Sequence, residues 1–423
     1  MLPVNILLLM ISPYTTIIPV MFVAYKVMQG NGLLLHKNPW NTGLILLFLW
    51  SFISGLLNKN PISATASIAF LLSFFVSIYL QNYYTDKESI ERLLKYVILF
   101  AVLSAFIGIA EKVTCLVYNK VIWGRFFGMS FGIPQSSISK LNYRISATFG
   151  NPNVAGTWFS AIILICYYFY DNAVKKTKFL YMLLILLFLF ILDLTGSRGA
   201  AFGLLCGIMA YTYFKNDKKN MFSLFSLFVF VVLLMFVVPQ FISRTKIIDA
   251  FKIGEQNPIL NNLNTSMQHD VNRSINSRWE IWLGSLSLFR NEPITGSGLL
   301  GIYFASKDLF NFYVREPHAH NILLTFASTL GIVGVCIYLY MKYYLFKGLM
   351  LLHYYKCKLT PVLAGVQAII IGHGLVDATI FGPQGAVLFI SCSAIITSLA
   401  AQYGFENENV SETYWLRKRI HQF

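Results

Sequence analysis

Two histidines and an asparagine, His318, His320 and Asn321, stand directly before an apolar run that continues to Tyr340. A soluble core helix rarely starts this way, and about twenty apolar residues are enough to cross a bilayer. We expect His320 in the first helical turn, where the helix dipole disfavours an imidazolium. The pattern therefore predicts a neutral imidazole that can accept a proton at a membrane boundary.

Two other interpretations of the histidine pair are open. A structural histidine could cap the helix, or the pair could ligate a metal. Histidines at positions i and i+2 point to different sides of a helix, however, and no third ligand stands close in sequence. The sequence therefore predicts no metal site, and it predicts that His318 and Asn321 contact the substrate.

Three further clusters supply arginines. Arg144 is followed by Asn151 and Asn153, which we predict to bind substrate, although asparagines are also common in turns and helix caps. Arg198 lies in a glycine-flanked hairpin where a helix begins. Its guanidinium and the free N–H groups of the helix start could bind phosphate oxygens. The alternative is a side chain that snorkels to the lipid headgroups. Arg278 lies in a long polar segment, where a solvated charge is the alternative.

His373 and Asp377 are four residues apart in an apolar run, which places them on one face of a predicted helix. Ionisable groups within a span normally face the bundle interior and mark function. Asp377 should lie near the outer end of its span. There it could orient a catalytic imidazole or bind a substrate hydroxyl, and a purely structural buried pair is the alternative.

The composition predicts a polytopic helical membrane protein that positions these residues. The chain has 423 residues, of which 56% are hydrophobic, 16% aromatic and 12% charged, against roughly 25% charged in ordinary soluble domains. The net charge is +15, but the basic residues are distributed among loops, so nucleic-acid binding is not expected. The six cysteines show no paired spacing, so no disulfide framework or zinc pattern follows. The N-terminus lacks the features of a cleaved secretory signal and is interpreted as the first span.

Apolar runs of spanning length predict an all-α fold with about 11–12 transmembrane helices in a single transmembrane domain, 1–423. The runs lie at about 4–27, 42–57, 62–83, 93–113, 153–170, 178–194, 197–214, 221–241, 320–344, 360–380 and 384–403.

Lysine and arginine are concentrated in alternate short loops, including one with Lys342 and Lys347, which places those loops and the tail 404–423 in the cytoplasm. Residues 114–152 and the large loop 242–319 are then extracytoplasmic, as are the four polar clusters. Within the large loop, apolar residues recur at helical spacing from Ser277 to Phe289. This helix is expected to end near Asn291–Pro293, before a glycine-rich turn at 295–298.

The chain has no P-loop, no dinucleotide fingerprint and no D-x-D pair of the kind that holds a metal and a nucleotide sugar. Nucleotide substrates on the cytoplasmic side are therefore not expected. The external arginines suit a lipid-linked phosphate or pyrophosphate that reaches them from the outer leaflet.

These residues resemble motifs of the O-antigen ligase and O-antigen polymerase superfamily of bacterial membrane glycosyltransferases. His320-Asn321, followed after nine residues by Gly331 and Gly334, fits the ligase signature H-[NSQ]-x9-G-x-x-[GTY] at every position. The signature covers the start of the predicted span 320–344.

Three other stretches are similar to motifs of the same superfamily. Residues 144–153, RISATFGNPN, resemble R-x-x-G-x-F-x-N-P-N, with Ala147 in place of the usual glycine. Residues 195–200, TGSRGA, match the arginine hairpin, and residues 278–301 resemble R-x-x-x-W…P-x-x-G-x-G-x-x. Together the resemblance covers about residues 140–340.

The resemblance implies a GT-C-like bundle and a donor glycan carried on undecaprenyl pyrophosphate at the outer face of the bacterial cytoplasmic (inner) membrane. By carry-over, Arg198 and Arg278 hold the pyrophosphate, and His320 is the general base on an acceptor hydroxyl. The sugar transfers with inversion, without a metal or another cofactor. The residues agree with this, since cations supply electrostatic stabilisation of a leaving anion.

A polymerase of a surface polysaccharide, with a lipid-linked glycan as acceptor, is favoured over a ligase that transfers the glycan to a lipid A core. The histidine signature, best known from ligases, favours the second. A flippase or transporter is an alternative of another class. It would need polar groups along a path through the membrane and, we expect, internal repeats, whereas the ionisable residues here gather at one face. A catalytically silent membrane scaffold is the third possibility.

Overall fold

The computed structural model describes residues 2–29, 33–117, 124–126, 129–131, 143–217, 278–309 and 318–404. The predicted span 221–241, parts of the predicted external segments 114–152 and 242–319, and residues 405–423 of the predicted tail lie outside these ranges. The described residues are mostly helical, with one short antiparallel hairpin between β1 (Gly124–Phe126) and β2 (Met129–Phe131).

Helices account for nearly all of the regular structure in the described residues. They are α1 (Leu2–Ile11), α2 (Ile17–Met28), α3 (Pro39–Leu57), α4 (Pro61–Ala66), α5 (Ile68–Tyr83), α6 (Lys87–Val117), α7 (Pro152–Asn172), α8 (Lys175–Thr195), α9 (Arg198–Phe214), α10 (278–291), α11 (Gly301–Leu309), α12 (Ile322–Tyr354), α13 (Thr360–Gly374) and α14 (Pro383–Ala401), with a 3₁₀ turn at Thr379–Phe381.

Among the described residues, 7 helices are long and apolar enough to cross a membrane. They are α3, the continuous pair α4–α5, α6, α7, α8, α12 and α14. The prediction of an all-α polytopic membrane protein is therefore confirmed. The predicted helix in the large loop is also confirmed, since α10 ends at residue 291, immediately before the turn.

The prediction of one span over residues 4–27 is wrong, because the chain turns between α1 and α2. Pro13 lies in this turn, where a ring without an N–H interrupts the helical ladder. The hydroxyls of Thr15 and Thr16 donate to the carbonyls of Leu8 and Leu9, at 2.6 and 3.2 Å. Side chains thus satisfy carbonyls that a continuous helix would have bonded.

Two further predictions need correction near the other end of the chain. The run 360–380 forms a helix only as far as Gly374, and the residues after it make a turn. Lys342 and Lys347 do not lie in a loop, because α12 continues to Tyr354. The Lys342 ammonium donates to Gln367 Oε1 at 2.8 Å and lies 4.3 Å from the centre of the Phe389 ring.

Glycines bring α9 and α13 into close contact. A Cβ on Gly207 would lie 2.5 Å from Ile369 Cγ1, and a Cβ on Gly365 would lie 2.9 Å from the Gly207 carbonyl oxygen. Small residues allow helix backbones to approach in this way inside membranes. The contact holds the start of α9, with Arg198, beside the end of α13, with His373.

Helix α12 is broken at Gly331, and the turn after α10 docks into the break. Gly331 has φ 66° and ψ −167°, a conformation open essentially only to glycine. The break allows the N–H of Ile332 to donate to the Pro293 carbonyl at 2.9 Å. The N–H of Ser297 donates to the Ser328 carbonyl, also at 2.9 Å. The signature glycine thus fixes α10, and with it Arg278, against α12.

Substituting Gly331→Ala is expected to destabilise the protein by about 1–3 kcal/mol, the cost of holding a non-glycine in such a region. In addition, the new Cβ would overlap the carbonyl oxygen of Ile294. Thermal unfolding of the detergent-solubilised protein measures the effect. Gly382→Ala is the matched control, since Gly382 has φ −85° and its Cβ would meet its nearest atoms at 3.5 and 3.6 Å. Equal unfolding temperatures for the two variants would contradict this account of Gly331.

Candidate active site

The beginnings of α7 and α9 lie side by side at one end of the bundle. Asn151 caps α7 by accepting the N–H of Asn153 at 2.8 Å, and Ser197 caps α9 by accepting the N–H of Ala200 at 3.4 Å. Gly156 permits the contact, because its Cβ would lie 2.9 Å from the Ser197 Cβ. Both helices therefore direct the positive ends of their dipoles towards the same region.

Arg144 joins these two helix starts. Its Nε donates to the Thr195 carbonyl at 2.7 Å, and one terminal nitrogen donates to Asn153 Oδ1 at 2.7 Å. The residue as a whole is exposed, but protein atoms exclude water from part of the guanidinium, and this desolvation lowers its pKa. The charges of Arg278 and Arg198 lower that pKa further, against the opposite effect of Asp377. The positive charges of Arg144, Arg198 and Arg278 are therefore close enough to affect one another.

Glu111 anchors the segment that carries Arg144, a role that the sequence analysis missed. Its carboxylate accepts the Tyr143 hydroxyl at 2.8 Å and the backbone N–H groups of Ser146 and Ala147 at 3.1 and 2.9 Å. Ala147 has φ 48°, so it adopts the left-handed conformation that the usual glycine of the motif accepts more readily. An acidic residue inside the apolar run 93–113 was the available signal, since such groups are costly in a span.

Asp377 lies in the turn after α13 and is almost fully buried. One carboxylate oxygen accepts Asn153 Nδ2, and the other accepts the N–H of Ala378 at 2.8 Å and lies 3.0 Å from His320 Nδ1. Burial by itself raises the pKa of the Asp377 carboxyl. The hydrogen bond from His320 and the charges of the nearby histidines outweigh burial and hold that pKa below its ordinary value.

His320 precedes α12 and is not in its first turn, so that prediction is wrong. Asn321 is the N-cap of α12, accepting the N–H of Leu324 at 2.9 Å, while its Nδ2 donates to the Leu375 carbonyl at 2.9 Å. The side-chain contact of Asn321 is therefore with the protein backbone. His320 itself has φ 52°, a strained left-handed conformation of the kind that clusters at functional sites.

The left-handed backbone at His320 also overturns the expectation that the side chains of His318 and His320 point to different sides of a helix. The ring centres of His318 and His320 are 4.8 Å apart, and His318 Nδ1 lies 3.8 Å from the Asp377 carboxylate. The expectation assumed helical backbone at both residues. With Asp377 they form a group of three ligand atoms within 4.8 Å of one another, which could hold a metal ion.

His373 and Asp377 have different hydrogen-bond partners. His373 Nδ1 lies 2.7 Å from the Thr157 hydroxyl inside the bundle, whereas Asp377 bonds to Asn153 and His320. The two residues are joined by a turn at the end of α13, in which the Asp377 N–H donates to the His373 carbonyl at 2.8 Å. Asp377 thus contacts the side chains of Asn153 and His320, whereas the His373 side chain contacts Thr157 inside the bundle.

A continuous network connects most of the predicted site residues. Asn153 is its centre, since it bonds to Arg144, Asp377 and the Ser197 hydroxyl, the last at 3.2 Å. Arg198 follows Ser197 directly with an exposed side chain, and Arg278 in α10 is half-buried. The arrangement can hold an anion at its cationic side and accept a proton at His320.

An apolar cavity of about 500 Å³ lies beside this end of the bundle. Its walls come mainly from α2, α3, α5, α12 and α14, and they include Val20, Leu47, Phe70 and Phe326. Phe381, four residues after Asp377, also lines it. Such a cavity can accommodate the hydrocarbon chain of a lipid.

Comparison with known proteins agrees with the resemblance. Residues 155–339 match the family model described as O-antigen ligase. The match begins in α7 and includes the arginine hairpin, α10 and the first half of α12. A search of curated proteins found no match to the chain.

Proposed function

We propose that this multi-pass membrane protein, whose residues 155–339 match the family model described as O-antigen ligase, is a membrane glycosyltransferase of the O-antigen ligase and polymerase superfamily. The donor is a glycan on undecaprenyl pyrophosphate, and the acceptor is a sugar hydroxyl. The reaction takes place at the outer face of the bacterial cytoplasmic membrane. The observation that carries the proposal is the network from Arg144 through Asn153 and Asp377 to His320.

His320 is the general base in this proposal. Its Nδ1–H donates to the Asp377 carboxylate at 3.0 Å, which leaves Nε2 with the lone pair. Nε2 removes the acceptor hydroxyl proton as the oxygen attacks the anomeric carbon. A carboxylate that fixes the ring and its tautomer in this way also stabilises the imidazolium that forms. Asp377 is thus a positioning residue, a refinement of its predicted contact with substrate.

The cationic side accepts the leaving group. The new bond joins the acceptor oxygen to the anomeric carbon, the bond to the pyrophosphate oxygen breaks, and that oxygen keeps the electron pair. Arg198 and Arg278, with the N–H groups at the start of α9, stabilise the released charge without a metal. Attack from the face opposite the pyrophosphate inverts the anomeric configuration.

A lipid-linked donor is supported by the apolar cavity, which can hold part of a polyprenyl chain while the pyrophosphate remains at the arginines. A flippase is less well supported. Within the described residues, the polar side chains of the network gather at the starts of α7, α9 and α12 and the end of α13. They do not form a path between the two ends of the bundle.

We assign polymerase activity to the protein, and ligase activity is the second candidate. The polymerase transfers glycan to another lipid-linked glycan, and the ligase transfers it to a lipid A core. The family description and the signature at His320, Asn321, Gly331 and Gly334 favour the ligase.

Incubation of the purified protein in proteoliposomes with lipid-linked repeat units alone tests the assignment. A polymerase is expected to produce a ladder of longer lipid-linked glycans, detected by gel electrophoresis after labelling of the sugar. Product formed only when lipid A core is added would overturn the polymerase assignment in favour of the ligase. No transfer to either acceptor would contradict both.

A further inference from the structure

His318, His320 and Asp377 form a cluster that glycan transfer, as proposed above, uses only in part. His320 Nδ1 and His318 Nδ1 lie 3.0 and 3.8 Å from the same carboxylate oxygen. The side chains of His318 and Asp377 are 7% and 3% exposed, and that of His320 is 19% exposed. The mechanism assigns no chemistry to His318.

These distances suit a small tetrahedral cation. Zinc bonds of about 2.0–2.2 Å to nitrogen and oxygen separate neighbouring ligand atoms by roughly 3.4 Å. The observed separations from the carboxylate oxygen lie on either side of that value, and all three ligand atoms are within 4.8 Å. Small rotations of the two rings would bring the nitrogens to bonding distance.

The surroundings of the three side chains also fit a metal site. The His320 N–H donates to His318 Nδ1 at 3.3 Å, so that nitrogen carries a lone pair and no proton, and a bound ion would replace this long hydrogen bond. Asn153 holds the second oxygen of Asp377, and this is the kind of outer contact that orients ligating carboxylates. Two imidazoles and one carboxylate favour zinc-like ions over Mg²⁺ or Ca²⁺, which prefer oxygen ligands.

We propose that His318, His320 and Asp377 bind one divalent transition-metal ion of the zinc class, and that this ion inhibits the protein. The ion takes the lone pair of His320 Nδ1, so the single proton of the neutral ring moves to Nε2. An Nε2–H cannot accept the proton of an acceptor hydroxyl. The inhibitory part rests on the proposed function, whereas ion binding by itself does not.

Titration of the metal-free full-length protein in detergent with Zn²⁺ alone tests the binding. Competition with a chromophoric chelator is expected to show one ion per chain, with affinity about 10-fold or more weaker in His318→Ala and in Asp377→Asn. His353→Ala is the matched control, since His353 lies at the other end of α12 beside Phe214, and it is expected to bind like the wild type. Replacement of Zn²⁺ by Co²⁺ should give visible absorption bands of a tetrahedral nitrogen and oxygen site.

Absence of a one-to-one site, or unchanged affinity in both ligand variants, would overturn the proposal. A transfer assay then separates its two parts. Zn²⁺ is expected to suppress transfer at the concentrations that fill the site, and a chelator should restore it. Full transfer with the site filled would overturn inhibition. If no transfer occurs even without metal, the proposed function fails, and the titration still decides whether the ion binds.

Discussion

Substituting His320→Ala is expected to reduce glycan transfer by about 10²–10⁴-fold, the usual contribution of a positioned general base. The imidazole is the group within the connected polar network that accepts the hydroxyl proton in our proposal, whereas the Asp377 carboxylate stays hydrogen-bonded to Asn153 and to the Ala378 N–H in the variant. Initial rates in proteoliposomes with defined lipid-linked donor measure the loss.

A second substitution separates catalysis from folding. His320 has φ 52°, a conformation that asparagine tolerates better than alanine. His320→Asn should therefore fold at least as well as His320→Ala and be as inactive. His353→Ala, in the last turn of the same helix, should keep wild-type rates. Full activity in the asparagine variant would remove His320 from the mechanism.

Removal of the Arg198 guanidinium should lower the rate by about 10²–10³-fold, as loss of one preorganised donor to a developing anion does elsewhere. Arg198 is the first residue of α9, and its side chain is exposed, so Arg198→Ala leaves no cavity and should not alter the unfolding temperature. The loss is expected in kcat because the pyrophosphate acquires its additional charge in the transition state. Single-turnover rates of donor cleavage measure it.

Arg198→Lys is expected to fall between the wild type and Arg198→Ala, since an ammonium keeps the charge but loses the two-pronged hydrogen bonding of the guanidinium. Lys215→Ala is the matched control at the opposite end of α9, where the ammonium pairs with Asp171 at 2.6 Å. This control removes a cation from the same helix and should retain transfer. Wild-type rates in Arg198→Ala would show that the pyrophosphate is held elsewhere.

Local chemistry in the sequence predicted the pieces of the site well. Asparagine before proline predicts the start of α7, and the glycine-flanked hairpin predicts the start of α9, because capping depends on neighbouring residues alone. The helical spacing after Ser277 likewise predicted α10. The family match independently confirms the resemblance on which the proposed roles depend.

The relations between these pieces could not be predicted from local patterns. Asp377 reaches His320 across 57 residues of chain, and this contact depends on the close packing of α9, α12 and α13. The left-handed backbone at His320 left no signal, because histidine ordinarily accepts helical and extended conformations. The break at Gly331 was equally hidden, since a glycine within an apolar run predicts a weakened helix and does not predict that a turn docks there.

Asn153 keeps a cation and an anion apart. Its carbonyl oxygen faces Arg144 and its amide nitrogen faces Asp377, so a neutral group stands where the two charges could otherwise have formed an ion pair. Such a pair would neutralise both groups before any substrate arrived. With the amide between them, the pocket keeps a permanent polarity. In the proposed reaction, the negatively charged leaving group is drawn to the cationic end, and the proton of the acceptor hydroxyl is drawn to the other.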